Sequence, residues 1–366
     1  MSRTSRVPGL KEVPVPDVVF AIPGDITAKT GGYIYDRHVI DLLPEFGWRV
    51  HHLVLPGDFP APSEASLAET ERLLAQATPA GALLLIDGLA YGAMPSDLIR
   101  RVKRPIVALV HHPLSLEVGI SDERATFFAR SEREALAHAI HVVVTSPSTG
   151  ELLARHFAVS AANITAAEPG TDPAPRARGA LGAPRLLSVG SVTEHKGYGV
   201  LMQALTQIAD LPWVSHIVGS LERDPDMVKS LRETEARTGL ADRVVLRGAL
   251  NEAELDEEYA EARLFVLASY FEGYGMAFAE AMTRGLPVVA CAAGAVPKTV
   301  PADAGVLVPP GDADALAQAL RRLLTDPHEL KVRADAAWAH GQKLPSWRDT
   351  AERIAGGLTT AMKKTS

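Results

Sequence analysis

The chain reads as an α/β protein of two doubly wound, Rossmann-like parallel-sheet domains that face each other across a central cleft. Three observations predict this. Short apolar runs alternate with helical segments along most of the sequence, and strict alternation of that kind makes a parallel sheet with helices on both faces. The alternation is broken by one Pro-, Gly- and Ala-rich stretch, residues 168–184, which reads as a linker. A length of 366 residues suits two domains of ordinary size.

Residues 1–16 read as a loose tail in which Pro8, Pro14 and Pro16 block helix formation; lacking an apolar core, they do not form a signal peptide. Residues 18–22, VVFAI, form the first buried strand. After Pro23-Gly24-Asp25, the stretch Thr30-Gly31-Gly32-Tyr33 opens a helix to about residue 45. Glycines at that junction suit either a ligand held against backbone N–H groups or a plain turn. Their spacing is not the dinucleotide fingerprint G-x-G-x-x-G. Strands at 50–55, 82–86 and 106–110 then alternate with helices at 67–77 and 95–102. The strand at 106–110 runs into His111-His112-Pro113, and side chains at that end of a parallel strand face the cleft. No further ligand lies at a local spacing that would complete a zinc site. Glu117, shortly after, is a weaker acceptor-side candidate beside His112. The basic run Arg100 to Arg104 reads as a solvated helix end, with an anionic acceptor or lipid head group as the sharper reading. Phe127-Phe128 reads as core packing. Strands at 140–145 and 164–167 complete the first domain, 1–172.

The second domain, 173–344, opens with a strand at 185–189 followed by Gly190-Ser191 and then Lys196-Gly197 before a helix at 198–208. A lysine just ahead of a helix N-terminus is repelled by the dipole, which points to an anion between them. Strands at 214–218 and 244–246 follow, the latter running into Arg247-Gly248-Ala249-Leu250, and Asn251 caps a helix at 252–262. Residues 265–291 form one strand–loop–helix–strand unit. Its loop holds Ser269, Glu272, Gly273 and Gly275, and its helix starts at Met276-Ala277 and carries Glu280. Unpaired N–H groups at such a helix start suit a phosphate, and the glycines let backbone approach a ligand. A carboxylate is repelled by a diphosphate, so the two acids belong on hydroxyls; singly, each also fits an ordinary helix-face charge. Two D-x-D stretches, Asp224-Pro225-Asp226 and Asp312-Ala313-Asp314, read as helix starts rather than metal ligands. Pro345-Ser346-Trp347 begins a last helix.

Glu272 and Glu280, with seven residues between them, followed by Ala281-Met282 and by Gly285-Leu286-Pro287-Val288-Val289, resemble the E-x7-E signature of the family 4 (group 1) retaining glycosyltransferases. Gly305 to Asp312 is also similar to that family. The resemblance is strongest over residues 185–324 and implies the GT-B fold. It also implies transfer of a hexose from a nucleoside-diphosphate sugar to an acceptor hydroxyl with retention of configuration; with both D-x-D stretches read as helix starts, no metal is assigned. By the same resemblance, Gly31 and Gly32 lie near donor and acceptor, and His111 and Glu272 contact the transferred sugar. Lys196 binds the diphosphate, while Ser191 stands where an arginine is usual. Gly275, Met276 and Ala277 offer amides to the distal phosphate. Backbone near Gly248 holds the base, Leu250 covers it, and Glu280 binds the ribose. The resemblance also has the last helix, about 345–366, cross back onto the first domain.

Composition excludes several classes. A net charge of −7 argues against nucleic-acid binding. No apolar run approaches a membrane span, although a peripheral contact stays open. The single cysteine, Cys291, excludes internal disulfides and fits a reducing, cytoplasmic setting. No cofactor is expected beyond the nucleotide-sugar co-substrate. A non-catalytic sugar-nucleotide binder and a nucleotide-sugar epimerase remain the alternatives.

Overall fold

The computed structural model describes residues 15–365. Its first sheet contains β1 (Asp17–Pro23), β2 (Arg49–Leu55), β3 (Leu83–Asp87), β4 (Ile106–Val110), β5 (His141–Val144) and β6 (Ile164–Ala166), in the order β2-β1-β3-β4-β5-β6. The second contains β7 (Arg185–Val189), β8 (Val214–Val218), β9 (Val244–Gly248), β10 (Leu264–Leu267), β11 (Val288–Cys291) and β12 (Gly305–Val308), in the order β12-β11-β10-β7-β8-β9. Both sheets are parallel throughout. The central strands are buried along their whole length, as LLLID in β3, IVALV in β4 and LFVL in β10, because helices cover both faces. The edge strand β2, RVHHLVL, alternates instead and stays partly open.

Each sheet reverses its winding once. In the first, the chain moves outward from β1 to β2 and then returns to β3 on the other side. In the second, β7, β8 and β9 wind one way and β10, β11 and β12 the other. Loops that leave neighbouring strands at such a reversal part to opposite faces and leave a crevice at the carboxyl ends. The crevices therefore lie beside β1 and β3 in one domain and beside β7 and β10 in the other.

The last helix, Trp347–Lys363, belongs to the first domain. It begins with a reciprocal cap between Ser346 and Asp349. Its Trp347, Ile354, Ala355, Leu358 and Ala361 join one apolar cluster with Tyr35, Leu43, Val143 and Ala167, so the helix lies against helix Gly31–Leu42 and the β5–β6 side of the sheet. Trp347, 7% exposed, stacks on His38 at 4.0 Å between ring centres. The two connections between the domains touch, since the Thr171 amide donates to the Pro345 carbonyl at 2.9 Å.

Some expectations need correction. The helix that opens at Gly31 ends at Leu42, and Pro44 diverts residues 43–46 into a 3-10 turn. Phe128 is buried but Phe127 is 59% exposed, so only one of the pair is core. The basic run is the expected solvated helix end, with Arg100 and Arg101 exposed in the last turn of helix Ser96–Val102 and Lys103 exposed after it; only Arg104 turns inward. Arg101 pairs with Glu71 and Asp97, and Arg104 donates to the carbonyls of Ala77, Pro79 and Ala82. The expected tail falls mostly on residues 1–14, which lie outside the described residues. Among the described residues, no helix is long and apolar enough to cross a membrane.

Candidate active site

On the second domain the site is made by the loops after β7 and β10. Lys196 closes a short 3-10 turn, Glu194–Lys196, and Gly197 follows at φ +67°. A Cβ on Gly197 would stand 2.0 Å from the Ala268 carbonyl oxygen, so only glycine lets the two loops meet. That contact sets Lys196 against Glu272. The Lys196 ammonium donates to Glu272 Oε1 at 2.7 Å, and Ser269 Oγ donates to the same oxygen at 2.7 Å. The pair is largely enclosed, at 18% and 12% side-chain exposure. Burial would raise the Glu272 carboxyl, but Lys196 and Ser269 outweigh it and hold it below the usual range. Neither residue is the free surface charge that each could be alone.

Helix Met276–Thr283 starts just beyond, at Gly275, and no side chain caps it. The amides of Met276 and Ala277 thus lie at an uncapped positive end next to the Lys196–Glu272 pair. One turn in, Glu280 is half-buried and its Oε2 accepts from Tyr259 Oη at 2.9 Å. Burial raises this carboxyl, against Tyr259 and Arg284. Gly190 backs Lys196, whose Cε lies 3.4 Å from where a Gly190 Cβ would stand. Ser191 is partly buried in the same loop, and Val192 anchors that loop through its amide on the Ser220 carbonyl. Gly248 ends β9, and the Leu250 carbonyl accepts from Lys29 of the first domain at 2.8 Å.

The first domain closes the other side. The position of a Cβ on Gly31 is 3.6 Å from Met276 Sδ, and that on Gly32 is 3.5 Å from the His111 ring. Gly273 is glycine for a reason other than ligand approach: a Cβ there would lie 2.3 Å from the His111 carbonyl, so the two domains touch backbone to side at this point. Thr145 Oγ1 fixes the same carbonyl at 2.9 Å. His112 and Glu117 pair with each other at 2.8 Å. Their loop is held from below by Glu132, whose carboxylate accepts from the amides of Leu114 and Ser115 and which burial pushes up to about 7. Lys298 and Glu151 form a further contact between the domains at 2.7 Å.

His111 has two partners that the sequence concealed. Its Nε2 lies 3.3 Å from Asp36 Oδ1 and 3.2 Å from Asp87 Oδ2. Asp36 comes from the second turn of helix Gly31–Leu42, and Asp87 from the end of β3. Burial would strip the proton from His111, but Asp36 and Asp87 outweigh it and raise its pKa to about 10. Burial pushes Asp36 up to about 7, against the pull of His111. Asp36 and Asp87 lie far from His111 in the sequence, so no local spacing marks them, yet the three side chains offer ligand atoms within 4.8 Å of one another. The two D-x-D stretches are helix caps: Asp224 accepts from the Met227 amide and Asp312 from the Ala315 amide.

Residues 183–326 match the family model described as glycosyl transferases group 1. The second domain is a group 1 glycosyltransferase domain. The curated relatives include a D-inositol 3-phosphate glycosyltransferase of Catenulispora acidiphila, 29% identical over 63% of this chain and 60% of that protein. Another is an MMP alpha-(1->4)-mannosyltransferase of Mycolicibacterium hassiacum, 26% identical over 73% of this chain and 68% of that protein. The chain thus spans about two thirds or less of the length of these relatives. Among solved structures, sucrose-phosphate synthase from Thermosynechococcus elongatus superposes with a TM-score of 0.78 at 24% identity, covering 95% of this chain and all of that one. Anabaena HepE in complex with UDP and glucose gives 0.73 at 19% identity over 93% and 99%. These likenesses show the fold of the described residues, both domains together, as GT-B. The glycosyltransferase domain carries Glu272, Glu280, Lys196 and the uncapped helix, and the other domain brings His111 to them. Tyr259, Asp36, Asp87 and Glu132 were not found by sequence reasoning. Only Asp87, at the cleft end of a buried strand, carried a positional signal.

Proposed function

We propose that the protein transfers a hexose from a nucleoside-diphosphate sugar to an acceptor hydroxyl, with retention of configuration and without a metal ion. The observation that supports this most is the Lys196–Glu272 pair beside the uncapped start of helix Met276–Thr283. A cation and two free amides suit a diphosphate, while a carboxylate within reach suits sugar hydroxyls. The neighbouring Glu280 is half-buried with only Oε2 taken by Tyr259, and it suits the ribose. His111, aligned by the first domain, faces the sugar. Gly31 and Gly32 line the same side, Gly190 and Ser191 the phosphate side, and Gly248 and Leu250 the base side, with His112 and Glu117 toward the acceptor. The HepE relative in structure is described with UDP and with UDP-glucose, which makes UDP the first nucleotide to try. Leaving-group charge would be met by Lys196 and the helix start, since Ser191 supplies a hydroxyl and no charge. The buried, unpaired Cys291 suits the reducing cytoplasm.

The test is to incubate the protein with a panel of nucleoside-diphosphate sugars and acceptors, in EDTA and in added Mn²⁺, and to read the anomeric coupling of the product by NMR. Retained product in EDTA supports the proposal. Nucleotide binding without turnover would leave a binding protein, an inverted product would refute retention, and loss in EDTA restored by Mn²⁺ would refute metal independence.

A further inference from the structure

The cluster beneath the sugar side of the cleft is unusual in its hydrogen bonding. Asp36 is fully buried, and neither of its carboxylate oxygens has a hydrogen bond of good geometry. Nearby hydroxyls do not serve it: Tyr35 Oη donates to the Ala167 carbonyl and Tyr33 Oη to the Pro23 carbonyl. Asp87 has one oxygen taken, Oδ1, which accepts from the Leu89 amide at 2.7 Å. His111 Nε2 is buried as well, close to both carboxylates yet aligned on neither. A single N–H directed between two acceptors gives that pattern, short to both and linear to neither. An isolated buried carboxylate is strongly disfavoured unless a cation or proton compensates it. Among the described residues, the imidazole is the group placed to do so.

The side chain of His111 is nonetheless 21% exposed. Nε2 is fully buried, whereas Nδ1 is not, so Nδ1 shares in that exposure. The titratable and charged groups around the ring are Asp36 from helix Gly31–Leu42, Asp87 from β3, and Tyr35, which meets the ring edge-on at 5.2 Å.

We propose that Asp36 and Asp87 are positioning residues that share the Nε2 proton of His111 and hold it as an imidazolium, so that Nδ1–H stands in the cleft as a fixed cationic donor to a hydroxyl of the transferred sugar. This rests on reading the cleft as a sugar-nucleotide site. It assigns His111 a donor role and removes it as a general base at neutral pH, because a base needs a free lone pair. It also gives the two aspartates a task at a distance from the substrate: they set charge and orientation rather than touch it.

The first measurement needs no variant and no substrate. In protein labelled with ¹⁵N-histidine, both His111 nitrogens should carry protons at pH 7.5, and the signal should titrate only well above neutrality; replacing His111 with Gln assigns it. A neutral His111 at pH 7.5 overturns the proposal. In Asp36→Asn and in Asp87→Asn the titration should move down toward the ordinary range near pH ~6.5. The parent's kcat should hold through pH 9, whereas each variant's should drop about tenfold or more at pH 8 and recover on acidification, with UDP affinity within about twofold. Asp87→Asn serves if the buried Asp36→Asn fails to fold. A kcat that drops equally at every pH in both variants would make the aspartates structural and overturn the assignment. So would one equivalent of Mn²⁺ or Zn²⁺ bound by the parent and lost in Asp36→Asn. A charged His111 in a protein that transfers no sugar would retire the functional reading and leave the electrostatic one standing.

Discussion

Replacing Glu272 with Gln separates nucleotide binding from transfer in a direction that simple loss of a site would not give. Glu272 Oε1 accepts from both Lys196 and Ser269 at 2.7 Å, so the lysine is already neutralised before any phosphate arrives. Glutamine keeps the shape and an acceptor oxygen and removes the charge. A hydrogen bond to a charged partner contributes about 1.5–3 kcal/mol and a neutral one about 0.5–1.5, so the lysine's hold on residue 272 weakens by about 1–1.5 kcal/mol. The pair is mostly enclosed, and solvent screening takes little from that figure. The released ammonium becomes available to the diphosphate. UDP should therefore bind roughly five- to tenfold more tightly to Glu272→Gln by titration calorimetry, at 1.4 kcal/mol per decade. Over the same change kcat should fall on the order of a hundredfold, because the charge that would meet the reacting sugar is gone. Circular dichroism must match the parent for the comparison to count. UDP affinity that falls in step with kcat would show Glu272 holding the nucleotide, and the reasoning about the pair would be wrong.

The companion variant Lys196→Ala should weaken UDP by about tenfold or more and UMP much less; equal losses would move the lysine off the distal phosphate. Glu280→Gln should mainly raise the donor KM with kcat little changed, because a ribose contact is the same in ground and transition states; a large kcat loss contradicts that placement. Stability should fall as pH rises above neutrality. His111 has its folded pKa raised to about 10 from an ordinary 6.5, so its contribution is complete below pH ~6.5 and is lost as pH climbs toward 10. The slope is at most about 1.4 kcal/mol per pH unit for one proton, read by urea denaturation, and a flat profile from pH 7 to 10 would contradict the pairing with Asp36 and Asp87. Trp347→Ala removes a buried ring stacked on His38 and should destabilise by about 3–5 kcal/mol. A melting temperature near the parent's would mean the last helix contributes little.

The sheets and the second half of the site were legible because their signals are local. A run such as Phe265-Val266-Leu267 followed by Glu272, Gly275 and Glu280 states its strand, loop and helix within sixteen positions. The His111 cluster was not legible, because its members come from a helix, a strand end and a second strand end far apart in the chain. Each looks unremarkable alone. Asp36 sits in a helix whose polar pattern would suit solvent, and only packing shows that it is buried. Tyr259 was hidden likewise: nothing in its own helix says that its hydroxyl reaches Glu280. Gly273 was assigned to ligand approach, whereas its requirement comes from the His111 carbonyl of the other domain, a contact with no sequence signature.

The helix Trp347–Lys363 completes a face of the first sheet, yet the second domain lies between it and β6 in the chain. On a ribosome, that order has a cost in time. The first domain leaves the exit tunnel with the β5 and β6 side of that face, around Val143 and Ala167, lacking its helix, and it waits while the whole second domain is made, on the order of ten to thirty seconds at typical synthesis rates. A nascent chain of this kind presents a sticky half-finished layer to the cell for as long as translation lasts, so a holding chaperone has its longest opportunity there, and slow codons after β6 would lengthen the exposure.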